Sequence, residues 1–114
     1  MLVACSWDNI ARELKKEYPD KWVTGYAYSA YQKPPVNYTM TEKVLVGVVA
    51  FNSFPALPNE TAADQSIWRG WADAGARQLF LRPNVGGQSV GRTLSFSCTD
   101  YCPFMSTVFS YASQ

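Results

Sequence analysis

The sequence predicts an α/β architecture in the order helix, strand, strand, helix, strand, followed by an irregular C-terminal tail. Two segments carry apolar residues at helical spacing, the mark of a helix that buries one stripe. Residues 22–31 and 44–51 are β-prone and apolar on both parities. A strand of that kind is expected to be covered on both faces, as in a parallel sheet lying under helices.

The first helix is expected over about residues 7–18, where Trp7, Ile10, Ala11, Leu14 and Tyr18 share a face and Ser6 stands where an N-cap would. Pro19 ends it, because the residue before a proline is pushed out of the α region. The first strand follows at 22–31. A polar linker with Pro34-Pro35 at its start shows no helical period, so this connection either crosses over or folds back as a hairpin. The second strand spans 44–51, and residues 52–59 form a loop rich in turn residues. Thr61-Ala-Ala-Asp64 has the capping-box pattern. The second helix then runs to about Ala74, with a stripe of Ala63, Ile67, Trp71 and Ala74 and with Trp68 at its edge. Gly75 suits the left-handed position just past a helix end. The third strand, about 78–82, stops at Pro83. Only the step from second to third strand is a clear βαβ unit. Beyond Asn84 the composition changes. Residues 86–114 are rich in Ser, Thr, Cys and Phe, Arg92 and Asp100 are the only charges, and 104–111 could form a strand. The chain therefore divides into an α/β segment, 1–84, and a tail, 85–114, that is either natively irregular or a departure from the parent sequence.

With 114 residues, 47% hydrophobic and 17% charged, the chain suits one small globular domain. The net charge of +1 is scattered, which speaks against nucleic acid or an acidic membrane surface as partner. No apolar run approaches the roughly 20 residues of a membrane helix. The start, Met-Leu-Val-Ala-Cys-Ser-Trp, lacks the basic region of a signal peptide. There is no His, hence neither the usual general base nor the commonest metal ligand. Cys98 and Cys102 lack the second ligand pair that a four-coordinate metal needs. Gly86-Gly87 lacks the Lys and the strand-to-helix setting of a phosphate loop. No metal or cofactor is expected.

In parallel α/β sheets ligands meet the carboxyl ends of the strands. Here those ends carry Tyr28, Ser29 and Tyr31, then Phe51 and Asn52, then Arg82 and Asn84. Flat aromatics beside Asn and Arg suit a sugar, whose ring presents C–H faces to aromatics and hydroxyls to polar groups. Tyr28, Tyr31, Asn52, Arg82 and Asn84 are therefore the candidate substrate-binding residues, and carbohydrate is the expected partner. The plain alternative is that the tyrosines are core residues with rim hydroxyls, that the asparagines support turns and that the arginine pairs on the surface. Glycoside hydrolysis usually needs two carboxyl groups flanking the bond. Of the nine acids, all but Asp100 fall on helices or turns, and Glu60 is the nearest candidate. Its plain role is favourable charge at a helix N-terminus, and no catalytic residue is assigned.

The run Asp8-Asn-Ile-Ala-Arg-Glu-Leu-Lys-Lys-Glu-Tyr-Pro-Asp20, then Gly25-Tyr-Ala-Tyr-Ser-Ala-Tyr31 and Lys33-Pro-Pro35, resembles the DUF4838 family. So do Trp68-Arg-Gly-Trp71 and Leu79-Phe-Leu-Arg-Pro-Asn84, so that the likeness covers roughly residues 8–84. That family is a domain of unknown function in large bacterial proteins, related to α-glucuronidase-like and hexosaminidase-like barrels. The resemblance implies a partial (β/α) TIM-type barrel segment and polysaccharide processing outside the cytoplasm. It carries no catalytic role onto any residue here. A complete barrel takes roughly 250 residues. The expectation is thus a fragment of a glycosidase-like barrel, inactive alone and prone to self-association through uncovered sheet edges. The alternative is a self-contained, non-catalytic α/β binding or interaction module, with residues 86–114 supplying the missing cover.

Overall fold

The computed structural model describes residues 3–51, 57–82, 106–108 and 110–113. Helix α1 is Val3–Glu17, strand β1 is Val23–Ala27, and a single 3-10 turn, Ser29–Tyr31, follows. Strand β2 is Val44–Val48, helix α2 is Pro58–Asp73 and strand β3 is Gln78–Leu81. The predicted order of elements therefore stands. The three strands form one sheet in the order β1-β2-β3, both pairs parallel. The first connection is thus a crossover and not a hairpin, because a hairpin would make its strands antiparallel.

Alternation along the strands gives the sheet two unlike faces. Val23, Gly25 and Ala27 align with Val44, Val46 and Val48, and the last two align with Leu79 and Leu81. This face of small and aliphatic side chains lies against the helices. The Trp7 ring lies so close over Gly25 that a Cβ there would run into it. Trp7 also meets Trp71 of α2, ring centroids 5.7 Å apart and tilted by 34°, so both helices cover the same side. Trp71 and the valines of β2 have essentially no exposed surface.

Residues 28–43, the crossover from β1 to β2, contain no helix beyond the 3-10 turn. They lie on the helix side, tied down by side chains of both helices. Asp8 of α1, 1% exposed, accepts the Tyr38 hydroxyl at 2.8 Å, the Glu42 N–H at 2.8 Å and the Thr41 N–H at 3.1 Å. Trp71 donates its indole N–H to the Gln32 carbonyl at 2.8 Å, and the Gln32 side chain donates to the Val49 carbonyl at 2.8 Å. The Met40 N–H bonds the Ala74 carbonyl at the end of α2. Gly75 there has φ 91, a left-handed conformation that side chains rarely adopt, and a Cβ would strike the Met40 carbonyl.

Several local expectations are corrected. Helix α1 begins at Val3, so Ser6 lies inside it and is no N-cap. Its buried residues are Ala4, Asp8 and Ala11, while Ile10 and Tyr18 of the expected stripe are 55% and 52% exposed. Strand β1 ends at Ala27, because Tyr28 is the last extended residue and Ser29 turns left-handed, φ 55. Its alternate residues Thr24 and Tyr26 are exposed, so it is covered on one face and not on two. Strand β2 ends at Val48, although Val49, Ala50 and Phe51 remain buried. Helix α2 begins at Pro58, one turn before the expected cap. The fixed φ of proline suits the first helical position, and the Glu60 carboxylate accepts the Leu57 N–H at 2.9 Å. Asp64 does not close the expected capping box with Thr61; it accepts the Phe51 N–H at 3.1 Å instead. Ala63 is exposed, whereas Ile67, Trp68, Trp71 and Ala74 do meet the core. Residues 106–108 and 110–112 are helical and not extended, and Val108 is buried in the core cluster.

Candidate functional site

The second face of the sheet carries Thr24 and Tyr26, Leu45 and Gly47, and Gln78 and Phe80. Tyr26, Gly47 and Phe80 fall in one row across the three strands. Side chains two strands apart start ~9.5 Å from each other, too far for rings to pack directly. Glycine at the middle position removes that obstacle. The Phe80 ring leans over Gly47, where a Cβ would collide with it, and meets Tyr26 edge-on with centroids 5.8 Å apart at 77°. Edge-to-face contact is the arrangement that aromatic quadrupoles favour.

Arg82 lies two residues beyond Phe80, toward the carboxyl ends of the strands. Its backbone N–H still bonds the Val48 carbonyl at 3.0 Å, which continues the ladder one residue past β3. Its guanidinium lies over the Tyr26 ring, 5.4 Å from the centroid, a cation–π contact that fixes the head of a long, exposed side chain. Tyr26 is itself 51% exposed. The result is a half-exposed tyrosine ring with a phenyl ring set edge-on against it and a positioned five-donor cation over it.

Of the sequence-predicted residues, Arg82 belongs to this cluster. Tyr28 stands two residues past Tyr26 at the carboxyl end of β1 and is half-exposed. Tyr31 is placed elsewhere: it lines a cleft of about 230 Å³ on the helix side with Val3, Ala30, Lys33, Pro34 and Trp71. Asn52 and Asn84 lie outside the described residues. The sequence reading missed Tyr26 and Phe80. The available signal was Gly47 in the centre of an apolar strand, a hole that a neighbouring ring can fill.

Two carboxylates, Asp8 and Asp64, are held by hydrogen bonds to the backbone. Burial raises the Asp8 carboxyl, but hydrogen bonds from Tyr38 and from the Glu42 and Thr41 amides, helped by Arg12, outweigh burial and hold it below its ordinary value. The same bond pushes the Tyr38 phenol up to about 12, with burial adding to the effect. Asp64 is raised, chiefly by burial and also by nearby Glu60, while the Phe51 N–H works the other way. Phe51 holds φ 59, left-handed like Ser29, so the carboxyl ends of β1 and β2 both leave through a residue in that region. Non-glycine residues held there carry local strain, a feature that concentrates at functional sites. Among the described residues, no group of three or more His, Cys, Asp or Glu side chains is placed to hold a metal ion. No described helix is long and apolar enough to cross a membrane.

Comparison with known families finds a match over residues 3–81 to the model described as "Domain of unknown function (DUF4838)". The matched span runs from the start of α1 to the end of β3 and so includes Tyr26, Gly47 and Phe80. No curated protein and no solved structure matches the chain.

Proposed function

The chain belongs to the DUF4838 family, and from that premise we propose that it is a segment of a glycosidase-like barrel protein that lends a sugar-binding platform and does not catalyse on its own. The observation that carries this reading is the cluster of Tyr26, Phe80 and Arg82 on the sheet face away from the helices. A sugar ring stacks its C–H face on Tyr26, and Arg82 donates to its hydroxyls. In a (β/α) barrel the strand face away from the helices is the interior, and ligands meet its carboxyl end. The reading is supported by the cluster lying on the face away from the helices, with Arg82 just past the carboxyl end of β3. Tyr28 extends the platform toward the rim. On this reading the protein serves polysaccharide processing outside the cytoplasm.

The test is glycan binding by array and by calorimetric titration, for the chain and for Tyr26→Ala, Tyr28→Ala and Arg82→Ala. Each substitution in the cluster is expected to weaken Kd about tenfold, equivalent to ~1.4 kcal/mol. Unchanged affinity in the Tyr26→Ala, Arg82→Ala double variant would refute the platform.

A second reading, a self-contained non-catalytic binding module, draws on residues 106–112. Val108 enters the core cluster, and the Tyr111 hydroxyl donates to the Gln65 carbonyl of α2 at 3.4 Å. Part of the tail thus covers α2, as that reading requires. A single sharp calorimetric transition, with equal calorimetric and van't Hoff enthalpies, favours the module; broad, non-cooperative melting favours the barrel segment.

A further inference from the structure

At the amino end of the sheet, about 15 Å along the strands from the rim at a rise of ~3.3 Å per residue, a separate cleft of about 250 Å³ is lined by Lys15, Pro19, Thr41, Glu42, Lys43 and Arg77. Its three cations come from three places in the chain: the last turn of α1, the residue before β2 and the residue before β3. The parallel register brings them together, because it aligns the starts of adjacent strands at one end.

The cleft is positively charged by construction. Glu42 is its one carboxylate and pairs with Lys15 at 3.3 Å. Three cations against one carboxylate leave a surplus of two positive charges. Lys43 donates one N–H to the Pro19 carbonyl at 2.9 Å, and its ammonium stands 5.9 Å over the Trp22 ring. Arg77 donates from one Nη to the Thr41 carbonyl at 3.0 Å. These neutral acceptors position the two heads without neutralising them. Two donors remain on Lys43 and several on Arg77.

The geometry points to a binding site for a tetrahedral oxyanion of charge near −2, of the phosphate-monoester class. Such a group carries about −1.5 to −2 at pH 7 and offers three acceptor oxygens. Both features match this cleft, where the charge surplus is two and donors converge from three directions. A carboxylate matches less well. It brings a single charge, and one arm of the Arg77 fork that would clasp it is already committed to Thr41. The site is independent of the sugar platform, so either can fail without the other.

The test is a titration of the whole chain with inorganic phosphate, sulfate and acetate at constant ionic strength, followed by amide and Arg side-chain NMR. Phosphate and sulfate are expected to give saturable shifts confined to residues 41–43 and 77, with acetate far weaker. Lys43→Gln and Arg77→Gln are each expected to weaken phosphate binding roughly ten- to thirtyfold, the loss of one unit charge facing a charge near −2 across ~4 Å in water. Lys16→Gln removes the same charge from a residue paired with Glu13 on the surface and is expected to leave binding unchanged. Equal weakening by Lys16→Gln, acetate binding as tight as phosphate, or wild-type shifts that spread over all basic residues would overturn the site. Should a variant fail to fold, the wild-type shift map decides.

Discussion

Replacing Asp8 by alanine removes the acceptor on which the crossover loop is anchored. Four donors converge on that carboxylate: the Tyr38 hydroxyl and the Glu42 N–H at 2.8 Å, the Thr41 N–H at 3.1 Å and the Thr41 hydroxyl at 3.4 Å. Hydrogen bonds to a charged group contribute ~1.5–3 kcal/mol each, and those sharing one acceptor are not additive. Arg12, 3.6 Å away but half-exposed, adds little. The expected loss for Asp8→Ala is therefore about 3–5 kcal/mol, in the range for breaking a buried, charged network on one side. Asp8→Asn keeps one acceptor oxygen but turns an amide donor toward the other N–H groups, and about 2–3 kcal/mol is expected. Tyr38→Phe removes a single bond and is expected to cost about 1–2 kcal/mol. Urea unfolding followed by tryptophan fluorescence measures all three, since Trp7 and Trp71 pack together beneath the loop. A double-mutant cycle between positions 8 and 38 isolates their coupling. Asp8→Ala within about 0.5 kcal/mol of wild type, the range of ordinary surface substitutions, would refute the anchoring argument. So would an asparagine variant less stable than the alanine one.

The pH dependence of stability follows from the same pair. The folded Asp8 pKa lies below 3.8, so its contribution is complete above the unfolded value and is lost as pH falls through the folded one. The folded Tyr38 pKa is about 12 against 10.0, so its contribution is complete below pH 10 and is lost as pH rises through about 12. The melting difference between wild type and Tyr38→Phe should be flat between these limits and shrink outside them; a difference that persists undiminished past the alkaline limit would contradict this. Gly47→Ala places a methyl group where the Phe80 ring lies. The ring must lift, which is expected to cost about 1–3 kcal/mol and to abolish the edge contact with Tyr26. Near-ultraviolet circular dichroism and the loss of ring-current shifts on Tyr26 check this, and an unchanged spectrum would show that the ring does not rest on Gly47.

The order of elements was legible because turn residues and two periodicities mark it, but which face of each element is buried was legible only where side chains are simply apolar. The stripe of Ile67, Trp71 and Ala74 was readable for that reason. In α1 the counting of apolar residues turns the helix toward Ile10 and Tyr18, whereas the buried face carries Asp8. Nothing local announces that its partners sit thirty or more positions away, at Tyr38, Thr41 and Glu42. The start of α2 was misplaced for a related reason: Asp64 has the right spacing to cap Thr61, yet a nonlocal N–H at Phe51 claims it. At the candidate site, Arg82 was visible as a polar residue at a strand end. The aromatic pair beside it depends on the register 26–47–80, and register is a property of pairing that no single segment encodes.

The chain between β1 and β2 has no ladder of its own to keep it in place. Its order is borrowed from an acid on the preceding helix and an indole on the following one, which themselves lie more than sixty residues apart. Amide hydrogens at Thr41 and Glu42 should therefore exchange with solvent only when the whole unit opens, at rates matching those of the central strand and not those of a surface loop. It also means that cutting the polypeptide within this stretch cannot yield two halves that each fold, because the connection is assembled by both of its neighbours at once.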